Sequence, residues 1–226
     1  MHSQETREPH EDSVKPSRGL VRNVQLPGKD GTIRCCFHPA EPGSVAILWV
    51  FGSGGGLGGP AGGLYIRHAE QWAERGVASL RLDYRHPGLL QECFEDVRRG
   101  LDYLAQEQRP QVILVGHSFG GAVVIGVGAD HPQVIAVAAL SSQATGTEKA
   151  ARISPRPLLL MHGTADEILP ADCSEAIYRR AHEPKKLLLY PRCRHGLDEC
   201  RDEIDRDLEQ WLQEQVELQK GGAWRA

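Results

Sequence analysis

The 226-residue sequence predicts an α/β protein: a mostly parallel sheet with helices on both faces. Three observations lead there. Short apolar runs alternate with polar segments of helical length, the pattern of strands joined by crossover helices. The stretch "QVILVGHSFGGAVVIGVGADHP", residues 111–132, passes from a buried strand into a helix through one glycine-flanked turn. No internal repeat or domain-scale linker interrupts the alternation, so residues 19–218 read as a single domain.

Each element has its own signal. Leu20–Pro27 and Thr32–His38, separated by "GKDG", read as a hairpin. "VAILWVF" (Val45–Phe51) is a buried strand leading into the glycine-rich "GSGGGLGGPAGG". Arg67–Arg75 belongs to a helix, and "ASLRLDY" (Ala78–Tyr84) is the next strand. Leu89–Gln108 is amphipathic, with Cys93, Val97, Leu101 and Leu104 at helical spacing. Val112–Val115 is a strand, followed by a helix from Gly120 to about Asp130 that Pro132 limits. Val134–Leu140, Pro157–His162 and Lys186–Tyr190 complete the strands. Helices are expected near Ala171–Ala181 and over Leu197–Leu218, where Leu208, Trp211, Leu212 and Val216 form the apolar stripe. About eight strands result, the first two a hairpin and the others joined by helical crossovers. The charged segment 1–18, "MHSQETREPHEDSVKPSR", is expected to be a flexible leader, and 219–226 a flexible tail.

Composition excludes several classes. A net charge of −4 is not that of a nucleic-acid binder, which carries a basic surplus. No apolar run approaches the roughly 18 residues of a membrane span, and the N-terminal segment has no apolar stretch of a secretory signal. A cytoplasmic protein is expected. Of the six cysteines, Cys193 and Cys200 lie near His195, but no paired CxxC accompanies them. Neither a metal nor a cofactor is expected, and all six thiols are expected to be free.

The turn at 116–120, Gly-His-Ser-Phe-Gly, holds Ser118 at its tip with a helix N-terminus behind it. Glycines two before and two after remove the Cβ atoms that would collide in so sharp a reversal. A serine hydroxyl is not ionised near neutral pH, so a nucleophile here needs a base, and the base needs an orienting carboxylate. Both are expected at later strand ends, because function in such sheets collects at the carboxyl ends of strands. "PLLLMH" is followed by "GTADEILP" with Asp166, and "KKLLLY" by "PRCRHGLD" with His195. Ser118, Asp166 and His195 thus come in the order nucleophile, acid, base. Glu167 and Asp198 are rival carboxylates, Asp198 being expected to cap or begin the last helix. The oxyanion formed by attack on a carbonyl needs amide donors. Phe119 is one, and Ser53 or Gly54 of the glycine loop the other. Arg67, Arg192 and Arg194 are open between two roles: drawing an anionic substrate, or lying solvated on the surface.

On "GHSFGG", "GTADEILP" and "CRHG", residues 20–218 resemble the α/β-hydrolase family, specifically its small dienelactone-hydrolase-like and simple esterase branches. The resemblance implies an α/β-hydrolase fold with Ser118 as nucleophile, Asp166 as acid and His195 as base. Members often begin the oxyanion loop with His-Gly, where this chain has Phe51-Gly52. Dienelactone hydrolases proper use a cysteine nucleophile, and the serine argues against that activity. Only "QATGTEKAARISPR" lies between the sixth and seventh strands, too short for a large cap, so an open site for small or flexible acyl groups is expected. The function implied is hydrolysis of a small-molecule carboxylic ester through an acyl-enzyme on Ser118. The same three residues equally serve an acyltransferase, a thioesterase or a peptidase, and the fold also hosts non-catalytic scaffolds. Oligomeric state is not legible.

Overall fold

The computed structural model describes residues 20–41 and 43–220, without the side chain of Lys220. The expected leader, 1–18, and residues 221–226 of the expected tail lie outside the described residues, while Gln219 and Lys220 end the last helix.

The strands are β1 (Arg22–Gly28), β2 (Gly31–His38), β3 (Val45–Val50), β4 (Ala78–Asp83), β5 (Gln111–His117), β6 (Val134–Leu140), β7 (Leu158–Gly163) and β8 (Lys185–Tyr190). The helices are α1 (Pro60–Glu74), α2 (Leu90–Gln106), α3 (Phe119–Gly128), α4 (Asp172–Arg180) and α5 (Arg201–Lys220). All eight strands form one sheet in the order β1-β2-β4-β3-β5-β6-β7-β8. β1 and β2 pair antiparallel as a hairpin, and β2 pairs antiparallel with β4. Every pairing from β4 through β8 is parallel.

β3 shows why both faces are covered. Ala46, Leu48 and Val50 point to one side, packed with Val97, Leu101 and Leu104 of α2 and Val123 and Val127 of α3. Val45, Ile47 and Trp49 point to the other, packed with Leu64 and Trp72 of α1 and Ile204, Leu208 and Leu212 of α5. An apolar run without polar alternation is the signature of a strand buried on both sides. Burying each such side chain contributes roughly 1.5–3 kcal/mol, which makes β3 the centre of the core.

Not every connection is the expected helical crossover. α1, α2, α3 and α4 cross between parallel strands, but among the described residues no helix lies between β2 and β3. Between β6 and β7 there is only a 3₁₀ turn, Ala150–Ile153, and no cap. α1 begins earlier than expected, although Ala61, Gly62 and Gly63 take left-handed dihedrals, so regular helix starts at Leu64. The last helix is preceded by a 3₁₀ turn, Asp198–Cys200, entered through Leu197 at φ 62°.

From β3 the chain goes outward to β4, then returns to β5 on the other side of β3. Loops leaving the carboxyl ends of β3 and β5 therefore diverge, and a crevice opens between them. The glycine loop after β3 and the Ser118 turn after β5 both lie there.

Candidate active site

The Ser118 turn is sterically forced. A Cβ on Gly116 would lie 2.2 Å from the Gly120 carbonyl oxygen, and one on Gly120 would lie 2.3 Å from the Phe51 oxygen. Backbone cannot yield to such contacts, so both positions require glycine. Ser118 itself takes φ 58°, ψ −124°, a region that side-chain-bearing residues rarely occupy and that marks functional sites. Its N–H donates to Leu140 O at 2.8 Å, and its own carbonyl accepts from Gly121 N–H at 3.0 Å. Ser118 is half-buried rather than exposed on an open tip, because the loops after β3 and β8 rise beside it.

The three residues expected to act together do meet. His195 Nε2 is 3.0 Å from Ser118 Oγ, and His195 Nδ1 is 2.7 Å from Asp166 Oδ2. The Asp166 side chain is fully buried and that of His195 is 18% exposed. Asp166 Oδ1 accepts the amides of Ile168 at 2.9 Å and Leu169 at 2.8 Å, a local turn that fixes the carboxylate plane. Oδ2 accepts from His195 and also from His162 Nε2–H at 3.1 Å. Burial pushes the Asp166 carboxyl up, but the Leu169 amide, the His195 ring and the Ile168 amide outweigh it and hold it below its ordinary value. A carboxylate can only accept, so His195 carries its proton on Nδ1, leaving Nε2 to take the Ser118 proton. Neither rival carboxylate takes this place. Asp198 is exposed in the 3₁₀ turn, and Glu167 is exposed beside Asp166.

Two further histidines, not singled out from the sequence, support the group. His162, at the end of β7, donates from Nε2 to Asp166 and to Leu169 O at 2.9 Å, while its Nδ1 lies 2.7 Å from Ser174 Oγ. His117, next to Ser118, donates from Nε2 to the His195 carbonyl at 2.9 Å and stacks on Phe51 with ring centroids 5.3 Å apart. Both stand in quoted motifs, "GHSFGG" and "PLLLMH". Only the folded chain gives them partners.

Burial lowers both rings, His117 to about 4. The folded state thus keeps them neutral where an unfolded imidazole, near pH 6.5, is already protonated. The unfolded state binds more protons in that window, so stability must fall as pH falls. From about pH 6.5 to about pH 4 the His117 contribution to this loss is about 3 kcal/mol. Asp166 has the same sign but acts lower, its contribution being lost below about pH 3.9. Urea unfolding midpoints measured between pH 7.5 and pH 4.5 are expected to drop, and to drop less in His117→Gln, whose amide keeps a donor near the Nε2 position without titrating. Equal slopes in the two proteins would refute the assignment.

The glycine loop after β3 carries the two residues expected to supply the second amide donor. Ser53 and Gly54 are exposed in a turn closed by Gly55 N–H to Gly52 O at 3.0 Å. The residue against Ser118 is Gly52: a Cβ there would lie 3.3 Å from Ser118 Cβ and 3.6 Å from its Oγ. The loop is anchored from β4. Gly56 N–H donates to Asp83 Oδ1 at 2.6 Å, and Arg81 Nη1 donates to Leu57 O at 2.9 Å while its Nε donates to His38. Phe119, whose N–H opens α3, packs its ring edge-on against Tyr84.

The arginines held open by the sequence divide. Arg67 makes a bidentate pair with Asp205 of α5, with 2.8 Å from Nη2 to Oδ2 and 3.2 Å from Nε. Arg194 pairs with Glu199 at 2.6 Å, and Arg192 is exposed. The expectation of six free thiols is overturned: Cys193 and Cys200 form a disulfide, their Cα atoms 5.7 Å apart. Folding buries both in one apolar cluster, a proximity that their spacing alone does not reveal. Among the described residues no group of three His, Cys, Asp or Glu is arranged to hold a metal ion. No helix among them is long and apolar enough to cross a membrane.

Residues 61–220 match the dienelactone hydrolase family. The chain belongs to that family. Membership makes it one of a family of hydrolases on the α/β-hydrolase fold, and the match runs from α1 through α5, taking in Ser118, Asp166 and His195. Among similar sequences, the Uncharacterized protein YfhR of Escherichia coli O157:H7 is 30% identical over 230 residues, covering 83% of this chain and 78% of that protein. Solved structures agree on the fold. The dienelactone hydrolase of Anabaena variabilis superposes with a TM-score of 0.74 at 17% identity, over 88% of this chain and 98% of that one. The esterase domain of a Rhodothermus marinus protein gives 0.69 at 20% identity, over 85% and 98%. Est1E of Butyrivibrio proteoclasticus gives 0.72 at 18% identity, over 86% and 98%.

Proposed function

We propose that the chain is a serine hydrolase of small carboxylic esters, acting in the cytoplasm. The observation that carries the reading is the continuous hydrogen-bonded path from Ser118 Oγ to His195 Nε2 at 3.0 Å and from His195 Nδ1 to Asp166 at 2.7 Å. His195 takes the Ser118 proton as Oγ attacks the ester carbonyl, and Asp166 holds the ring and stabilises the imidazolium that forms. The tetrahedral oxyanion is met by the Phe119 N–H at the head of α3 and by an amide of the loop that starts at Gly52, with Ser53 and Gly54 the expected donors. Collapse expels the alcohol, which takes the proton from His195, and leaves an acyl-enzyme on Ser118. His195 then activates water, and the acid departs.

Hydrolysis is favoured over transfer by the partial exposure of His195, which lets water reach the base. The short β6–β7 connection favours small acyl groups. A serine where dienelactone hydrolases use cysteine argues against a dienelactone as the substrate, and the esterases among the structural neighbours support a simple ester instead. A fluorophosphonate probe tests it. A single adduct on the peptide containing Ser118 is expected, with turnover of p-nitrophenyl esters highest for short chains. A protein that is folded but takes no adduct is not a serine hydrolase.

A further inference from the structure

His195 sits inside a covalent ring. It lies in the segment between β8 and α5, and the disulfide joins that segment across Cys193 and Cys200. Both cysteines are buried in the apolar cluster that includes Trp49, Tyr65, Leu197 and Ile204, on the face of the sheet that carries α1 and α5. Cys193 is also the point where this segment abuts the Asp166 loop. Its carbonyl accepts the Ala165 N–H at 3.0 Å, and a Cβ on Gly163 would come within 2.1 Å of that same oxygen. Hydrogen bonds to other loops also hold the segment: His117 Nε2 to His195 O, Ala61 N–H to Gly196 O at 2.7 Å and Arg192 N–H to Thr164 Oγ1 at 3.2 Å, beside the bonds of the His195 ring to Asp166 and Ser118. An exposed pair, Arg194 with Glu199, spans the same stretch as the cross-link. Exposed pairs of this kind contribute little.

We propose that the Cys193–Cys200 disulfide is a positioning element for His195, and that its reduction lowers turnover by loosening the base relative to Ser118. The proposal rests on the reading of Ser118, His195 and Asp166 given above. Cys193 is packed by backbone contact with the Asp166 loop, so the cross-link carries that fixed point over to the head of α5, and His195 is clamped from both sides. Reduced, the segment keeps Cys193 in place but frees the Cys200 end to shift with Leu197, which is held at a left-handed dihedral. Misplacing a catalytic group by about 1 Å costs up to roughly a hundredfold in rate. In a cytoplasm kept reducing by thiols, such a bond is an adjustable constraint rather than a permanent one.

The chemical step balances with a dithiol such as dithiothreitol. One reagent thiolate attacks a sulfur of the disulfide to give a mixed disulfide, and the second reagent thiol displaces it. Two electrons and two protons pass to the protein, leaving Cys193 and Cys200 as thiols and the reagent as a cyclic disulfide.

Trypsin cleaves after Arg192, Arg194 and Arg201, so without reduction the peptides Cys193–Arg194 and His195–Arg201 are expected to remain joined. Dithiothreitol treatment, checked by alkylation of both thiols and by an unchanged circular dichroism spectrum, should lower kcat about ten- to a hundredfold. KM should stay within about twofold, and reoxidation should restore kcat, which a merely loosened fold would not show. The double variant Cys193→Ala, Cys200→Ala should have the kcat of the reduced protein and ignore dithiothreitol. Free thiols at Cys193 and Cys200 in the untreated protein, or an unchanged kcat after verified reduction, would overturn the proposal while fluorophosphonate labelling stands. An untreated protein that takes no label on Ser118 overturns the esterase reading and this one with it, whatever the joined peptides show.

Discussion

Ser118→Ala is expected to abolish fluorophosphonate labelling and to lower ester turnover by about five to six orders of magnitude. Only the nucleophilic oxygen is removed. The hydroxyl's hydrogen-bond partner is His195 Nε2, and the turn is held by main-chain bonds to Leu140 and Gly121 that alanine keeps. The positive φ at 118 is borne by a Cβ in either residue, so the strain is unchanged. Stability should therefore shift by no more than about 1 kcal/mol, readable as a denaturant midpoint. The neighbouring Ser141 and Ser142 at the end of β6 are fully buried and offer no substitute nucleophile. A Ser118→Ala protein that kept near-normal turnover would show that the reaction runs elsewhere.

Asp166→Asn is expected to cost about four orders of magnitude in kcat. The direction follows from what surrounds the carboxylate. Oδ1 faces two amide donors, Ile168 and Leu169, so the asparagine oxygen must stay there and its NH₂ must turn toward the histidines. Facing a donor, His195 puts its lone pair on Nδ1 and its proton on Nε2, and can no longer accept the proton of Ser118. The same NH₂ also confronts His162 Nε2–H, so the substitution should destabilise the fold by about 1–3 kcal/mol as well. Asp198→Asn is the control. That residue is exposed at the start of a 3₁₀ turn, and its loss should cost about 1 kcal/mol or less with kcat unchanged. Steady-state kinetics of the two variants side by side decide between the carboxylates, and a crippled Asp198→Asn beside a near-normal Asp166→Asn would reverse the assignment.

What the sequence by itself determined is local. Strand, turn and helix around Ser118 follow from a β-branched apolar run, two glycines at steric contact and a helix-compatible continuation, all within 22 consecutive residues. The positions of Asp166 and His195 follow from chain order, because each comes directly after an apolar strand whose carboxyl end must face the crevice. What only the tertiary structure decided is which distant groups become neighbours. That β2 lies against β4 rather than β3 depends on strand pairing that linear periodicity does not encode. His117 reaches the His195 carbonyl across 78 positions, and Arg67 is neutralised by Asp205 across 138. Gly52 lies against Ser118 across 66 positions, and the loop turns back there through the Gly55 N–H bond to Gly52 O. Cys193 and Cys200 read as separate thiols until the segment between them folds over the apolar face that brings their sulfurs together. Local stereochemistry is written in neighbouring residues, whereas partners are chosen by packing, and packing exists only once the sheet has formed.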